Sequence, residues 1–179
     1  VELVSAISFV VIFHFFGVSL TTLLFFVLSI SFVIIFFIDF KHFIIPNELT
    51  YPLMIIGLLK SFDPNLNTTL FPNLVNSLAG GFFGYAIIWL IIFTYKKIRN
   101  KEGMGLGDAK LLSAIGFWFG WMSIPFIIFF SSIAALISVI PDLITNKKKL
   151  SSQIPFGPFI IIGTLIFLFS NDYIKIFLN

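Results

Sequence analysis

"SFVIIFFIDFKHFIIPNELTYPLMIIGLLK", residues 31–60, decides the fold. An unbroken apolar run of seven, "FVIIFFI", carries the chain to Asp39. A short polar stretch with Lys41 and His42 follows, then Pro46-Asn47, and a second apolar run begins. If both runs cross a bilayer as helices, Asp39 and the loop after it lie at one membrane face. Every later segment is then counted from that face. If the second run fails to cross, everything downstream is inverted.

Composition supports a bilayer setting. Of 179 residues, 59% are hydrophobic and 11% charged, with a mean hydropathy of +1.09. Soluble domains are nearer half apolar and a quarter charged. The chain has 26 Phe and no Cys, which excludes a disulfide framework and any Cys-based zinc site. Neither a P-loop nor a G-x-S-x-G elbow is present, and no metal-ligand spacing stands out. The first residue is Val, so the chain is expected to begin inside a longer product. Its first segment lacks the basic start and small-residue cleavage site of a signal peptide.

A spanning helix needs roughly 20 apolar residues. Runs of that kind occur at 2–16, 19–40, 48–61, 71–95, 106–119, 122–144 and 154–176, the first, third and fifth being short. Gly17, the "FDPNLNTT" stretch and the Gly120-Trp121 corner punctuate them. Strand alternation is absent, so the expectation is an all-α, polytopic integral membrane protein with about seven transmembrane helices. Residues 1–179 then form a single membrane-embedded domain. Gly80 and Gly84 have the small-xxx-small spacing of a close helix contact.

Charge placement orients these segments. With all seven crossing, one side carries Lys41, Lys96, Lys97, Arg99, Lys101, Lys147, Lys148 and Lys149, and the other only Lys60 and Lys175. Basic loops stay cytoplasmic, which puts the first set inside the cell. Their ordinary role is topology and attraction of lipid headgroups. Asp39 at the end of the second segment and Asp108 at the start of the fifth then share the cytoplasmic edge of the bilayer.

Most of the eight acids have undemanding roles. Glu2, Asp63, Asp142 and Asp172 fall near water interfaces, Glu48 suits an early helical turn, and Glu102 neighbours Lys101. His14 is a lone packed or interfacial histidine. Asp39 follows oil, and Asp108 is reached through Gly105 and Gly107, which permit positive φ or close backbone approach. Taken alone, Asp108 fits a helix N-cap equally well. Two carboxylates at one depth favour a shared site, where one holds a proton and the other acts as base. Helix ends predict that proton on Asp39, at a negative C-terminal end, with Asp108 at a positive N-terminal start. An ion-coupled transporter is the rival reading, with acids nearer the midplane and symmetric halves. A structural membrane partner, which needs no such acids, is another.

The stretch "EGMGLGDAKLLSAIGFWFGW", residues 102–121, resembles the second signature of type IV prepilin peptidases, which are GxGD-type membrane aspartyl proteases. "IDFKHFIIPNELTYPL", residues 38–53, resembles their first signature, and "IPFGPFIIIG", residues 154–163, a later block. The resemblance spans essentially the whole chain. It implies Asp39 and Asp108 as catalytic acids, Gly105 and Gly107 as the active-site motif, and Pro46, Glu102 and Lys110 as candidate substrate-site or supporting residues. It implies no metal and no cofactor for peptidase activity. The implied substrate is a prepilin or pseudopilin with a short basic leader, cut at the cytoplasmic face of the bacterial inner membrane. Membrane lipids are the other expected partners, and no nucleic acid is expected. Where the family often has Pro-Asp, this chain has Pro46-Asn47, so an accessory acid is missing. Bifunctional members also carry paired CxxC motifs and methylate the new N-terminus. S-adenosylmethionine and zinc are therefore expected only if the full-length protein is bifunctional.

Overall fold

A computed structural model describes residues 2–66, 71–99, 105–144 and 154–178. The described chain is helical: α1 (Glu2–Phe16), α2 (Leu20–His42), α3 (Asn47–Lys60), α4 (Leu74–Arg99), α5 (Leu106–Phe119), α6 (Ser123–Ile144) and α7 (Gly157–Leu178), with a 3₁₀ turn at Pro64–Leu66. Local chemistry sets the boundaries. Gly17, at φ 58°, closes α1, and Ser19 caps α2 by accepting from the Thr22 N–H at 3.1 Å. Pro46 is the N-cap of α3, and Gly120, at φ 80°, closes α5.

Among the described residues, three helices are long and apolar enough to cross a membrane: Leu20–His42, Leu74–Ile98 and Ser123–Ile140. This is coarser than the seven spans expected. Glu2–Phe16 and Gly157–Ser170 are shorter apolar helices. α3 and α5 have 14 residues each, or about 21 Å of helix against a hydrocarbon core of about 30 Å. For α5 the reason is position. Almost its whole length, from Asp108 through Phe119, is buried by other helices, so it need not match the lipid. The lipid-facing character lies elsewhere, in exposed Phe82, Trp89 and Phe93 of α4 and Phe129, Leu136 and Ile137 of α6.

The core is built around α5. Its most extensive contact is with α4, where Gly80 faces Gly116 so closely that a Cβ on either would strike the other's backbone. A Cβ on Gly84 would lie 2.6 Å from the Leu112 carbonyl oxygen. The small-residue spacing at Gly80 and Gly84 is thus a helix-packing seam. Ser77 Oγ donates to the Phe117 carbonyl at 2.6 Å and Ser113 Oγ to the Gly81 carbonyl at 2.8 Å, binding the same two helices. Trp118, fully buried, donates its indole N–H to the Leu53 carbonyl of α3 at 2.8 Å. α3, α4 and α5 therefore form one tightly bonded group. α2 packs on α1 and α7, and α7 on α6.

Lys60 departs from expectation. Counted from sequence as a cation of the outer loops, it is buried, with its Nζ 4.2 Å from the Phe71 ring centroid and 5.8 Å from that of Trp118. Withdrawing this charge from the surface sharpens the basic bias of the opposite side. His14 lies exposed in the last turn of α1, edge-on to Phe15.

Candidate active site

Four helix ends meet around two acids. Asp39 lies in the last turn of α2, which the αL residue Phe43 closes by donating its N–H to the Asp39 carbonyl at 2.9 Å. Asp108 lies in the first turn of α5, its N–H donating to the Gly105 carbonyl at 3.3 Å. Asp39 and Asp108 are 4% and 8% exposed. Ile45 lies against the backbone beside each acid, although 69 positions (108 − 39) separate them in sequence. With Lys60 they are the only buried ionisable side chains among the described residues.

A residue that sequence reasoning gave no role completes the arrangement. The backbone N–H of Gly157, first residue of α7, donates to Asp39 Oδ2 at 2.9 Å. A Cβ at Gly157 would stand 2.7 Å from that oxygen, so only glycine permits the approach without displacement. The available signal was Gly157-Pro158 at the start of an apolar run, a helix start whose free N–H groups attract anions. The proton assignment by helix ends counted only α2 for Asp39. Because α7 also begins at Asp39, both acids face a helix N-terminus, and helix ends no longer distinguish them.

The two motif glycines behave differently from one another. Positive φ occurs among described glycines only at Gly17 and Gly120, so neither motif glycine uses that freedom. Gly107 is a close-approach glycine: a Cβ there would meet Ile45 Cβ at 3.0 Å. Gly105, the N-cap of α5, is open, with nothing nearer to a built Cβ than the Gly107 nitrogen at 3.8 Å. Pro46 holds the start of α3 through its carbonyl, which accepts from the Thr50 N–H at 3.2 Å. Lys110 donates to Asn47 Oδ1 at 2.7 Å and stands 5.3 Å from the Tyr51 ring centroid, joining α5 to α3 beside the site. Where the missing accessory acid would lie, an amide oxygen thus receives Lys110. Glu102 lies outside the described residues, and no group of three or more His, Cys, Asp or Glu able to hold a metal occurs among those described.

Both acids fall within a stretch shared with known proteins: residues 25–140 match the type IV leader peptidase family. The chain belongs to that family. Among its relatives is a prepilin leader peptidase/N-methyltransferase of Aeromonas hydrophila, 35% identical over 138 residues, which are 77% of this chain and 46% of the relative. The protein of the same name from Xanthomonas campestris pv. campestris is 37% identical over 143 residues, 79% of this chain and 48% of its own length. That of Dichelobacter nodosus is 33% identical over 184 residues, covering 98% of this chain and 58% of the relative. The chain spans about half the length of the curated relatives it matches. No solved structure matches it.

Proposed function

We propose that this chain is a membrane aspartyl endopeptidase that removes the short basic leader from type IV prepilins or pseudopilins, with Asp39 and Asp108 as its catalytic acids. The observation that carries the proposal is the pair of buried acids at the ends of α2 and α5, with Ile45 against the backbone beside each. Like charges so placed do not both ionise readily, which leaves one acid protonated beside one base. The base takes a proton from water as the water oxygen bonds to the scissile carbonyl carbon. The acid gives its proton to the carbonyl oxygen, forming a neutral gem-diol. On collapse the C–N bond breaks, the carboxyl that took the water proton gives it to the departing nitrogen, a gem-diol hydroxyl gives its proton to the other carboxylate, and the pair returns to its starting state.

In this reading all seven helices cross the bilayer of a bacterial inner membrane, with residues 1–179 as one membrane domain and the acids at the cytoplasmic edge. The basic loops support that orientation. It suits a substrate whose leader is wet and whose mature portion begins as a membrane helix.

The test is cleavage of a prepilin in detergent. Asp39→Asn and Asp108→Asn should each abolish cleavage, with expression and membrane insertion near wild type. A folded variant that kept more than a few per cent of activity would remove its acid from the mechanism. Cysteines placed at Lys41 and Lys148 should react from the cytoplasm and one at Asn65 from outside.

A further inference from the structure

The two acids sit on different helices, and the side chain of Ile45 reaches the backbone beside each. A Cβ built at Gly107, the residue before Asp108, would meet Ile45 Cβ at 3.0 Å and Cγ1 at 3.5 Å. One built at Gly157, the donor to Asp39, would meet Ile45 Cδ1 at 3.0 Å. The Cβ–Cγ1–Cδ1 arm of Ile45 therefore runs from the α5 backbone beside Asp108 to the α7 backbone that holds Asp39. Both surfaces it touches are glycine, so the width of this one arm sets how closely they approach.

We infer that Ile45 is a positioning residue that sets the spacing of the Asp39–Asp108 pair, an inference that rests on the peptidase reading above. Its own placement is rigid. On one side lies the closed end of α2, where Phe43 holds a left-handed conformation, φ 58° and ψ 34°, costly for a bulky side chain. On the other lies Pro46, the N-cap of α3, and a residue before proline is restricted to extended backbone. Between two exposed neighbours and that proline, Phe43 and Ile44 at 53% and 62%, Ile45 alone turns inward, at 8% exposure. A β-branched side chain is stiff about χ1, which suits a spacer better than leucine or methionine would.

The chain has no Cys, so a pair introduced at Asp39 and Asp108 can be bridged without background. The measurement is cross-linking yield in native membranes against bis-thiol reagents of graded length, with isoleucine, alanine or phenylalanine at position 45. Relative to Ile45, the best reagent should be shorter in Ile45→Ala and longer in Ile45→Phe. An optimum that does not move in opposite senses overturns the proposal. In the chain with both acids intact, Ile45→Ala should lower kcat toward prepilin on the order of 10²-fold, as expected for misplacement of about 1 Å, with KM within about twofold. Ile45→Val, which lacks only the Cδ1 that reaches Gly157, should lose about tenfold or less. Loss through KM with kcat unchanged would also overturn the role. Should the chain not cut prepilin at all, the cross-linking result still stands or falls by itself.

Discussion

Replacing Gly157 by alanine is the sharpest single perturbation of this site. The backbone tolerates it, since Gly157 lies outside the positive-φ positions and starts a helix. The added methyl does not fit. It would lie 2.7 Å from Asp39 Oδ2, 3.2 Å from Asp39 Cγ and 3.0 Å from Ile45 Cδ1. Carbon contacts settle at about 3.5–4.0 Å, so something must retreat by roughly 0.5–1 Å. Neither neighbour yields freely, because Ile45 is already against Gly107 and Asp39 is at a buried helix end. The movable group is the carboxylate, and moving it breaks or stretches its 2.9 Å hydrogen bond with the Gly157 N–H.

Two magnitudes follow. Overpacking costs about 1–3 kcal/mol, offset by up to about 1 kcal/mol of helix propensity regained, so the fold should survive. A hydrogen bond to a charged group contributes about 1.5–3 kcal/mol, and misplacing a catalytic group by about 1 Å costs on the order of 10²-fold in rate. Gly157→Ala should therefore lower kcat for prepilin cleavage by about 10²-fold, change KM little and shift thermal unfolding only modestly. The assay is steady-state cleavage in detergent, with a melting curve on the same preparation. A folded Gly157→Ala protein with near-wild-type kcat would refute the claim that this contact holds Asp39 for chemistry.

Gly105→Ala is the matched contrast: nothing in the structure opposes the methyl, so stability should hold, whereas KM should rise if substrate backbone lies against Gly105. An unchanged KM removes that role. Asn47→Asp supplies Lys110 with a charged partner in place of an amide 2.7 Å away, and should raise stability by about 0.2–1 kcal/mol with activity retained; a drop in melting temperature contradicts this. Lys60→Met exchanges a buried ammonium, without a hydrogen-bond partner, for a side chain of similar length. Giving up the cation–π attraction costs about 0.5–2 kcal/mol, and relieving the unsatisfied buried ammonium returns about 1–3 kcal/mol. Melting should therefore stay level or rise, and destabilisation would show that the ammonium holds Phe71 in place.

Sequence made the buried acid pair legible because burying a carboxylate costs so much that few positions bear it. Asp39 after "FVIIFFI" had no cheap explanation, and Asp108 behind Gly105 and Gly107 had only the N-cap. The Gly80/Gly84 seam was legible for a similar reason, since spacing on a single helix shows it. Gly157 was not, because its role depends on a partner 118 positions away and is exerted by a backbone N–H common to every helix start. The fate of Lys60 was equally hidden: hydropathy treats a lysine at a helix end as exposed, whereas Phe71 and Trp118 make a ring-lined place for it inside. The fifth segment was legible with its bounds, 106–119, whereas the burial of α5 among the other helices was not, because it depends on partners distant in sequence.

Catalytic geometry here is not a property of the two helices that carry the acids. α5 is fastened to α4 by a glycine seam and two serine hydroxyls, and to α3 by the Trp118 indole and Lys110. Among the described residues, α2 is fastened at its end to α7 by one hydrogen bond, from the Gly157 N–H to Asp39 Oδ2. Asp108 thus rides on a group held by many directional contacts, and Asp39 on one whose tie at the site is a lone N–H. Interactions of this kind contribute on the order of 1 kcal/mol each, more when one partner is charged. The softer coordinate of the pair is therefore the placement of α2 and α7 against the α3–α5 group. Motion along it changes the distance between the carboxylates without disturbing either helix. Ile45 lies on that coordinate, with one end of its arm on each group. In the proposed dyad, the distance between the acids is governed at Ile45, the residue before Pro46.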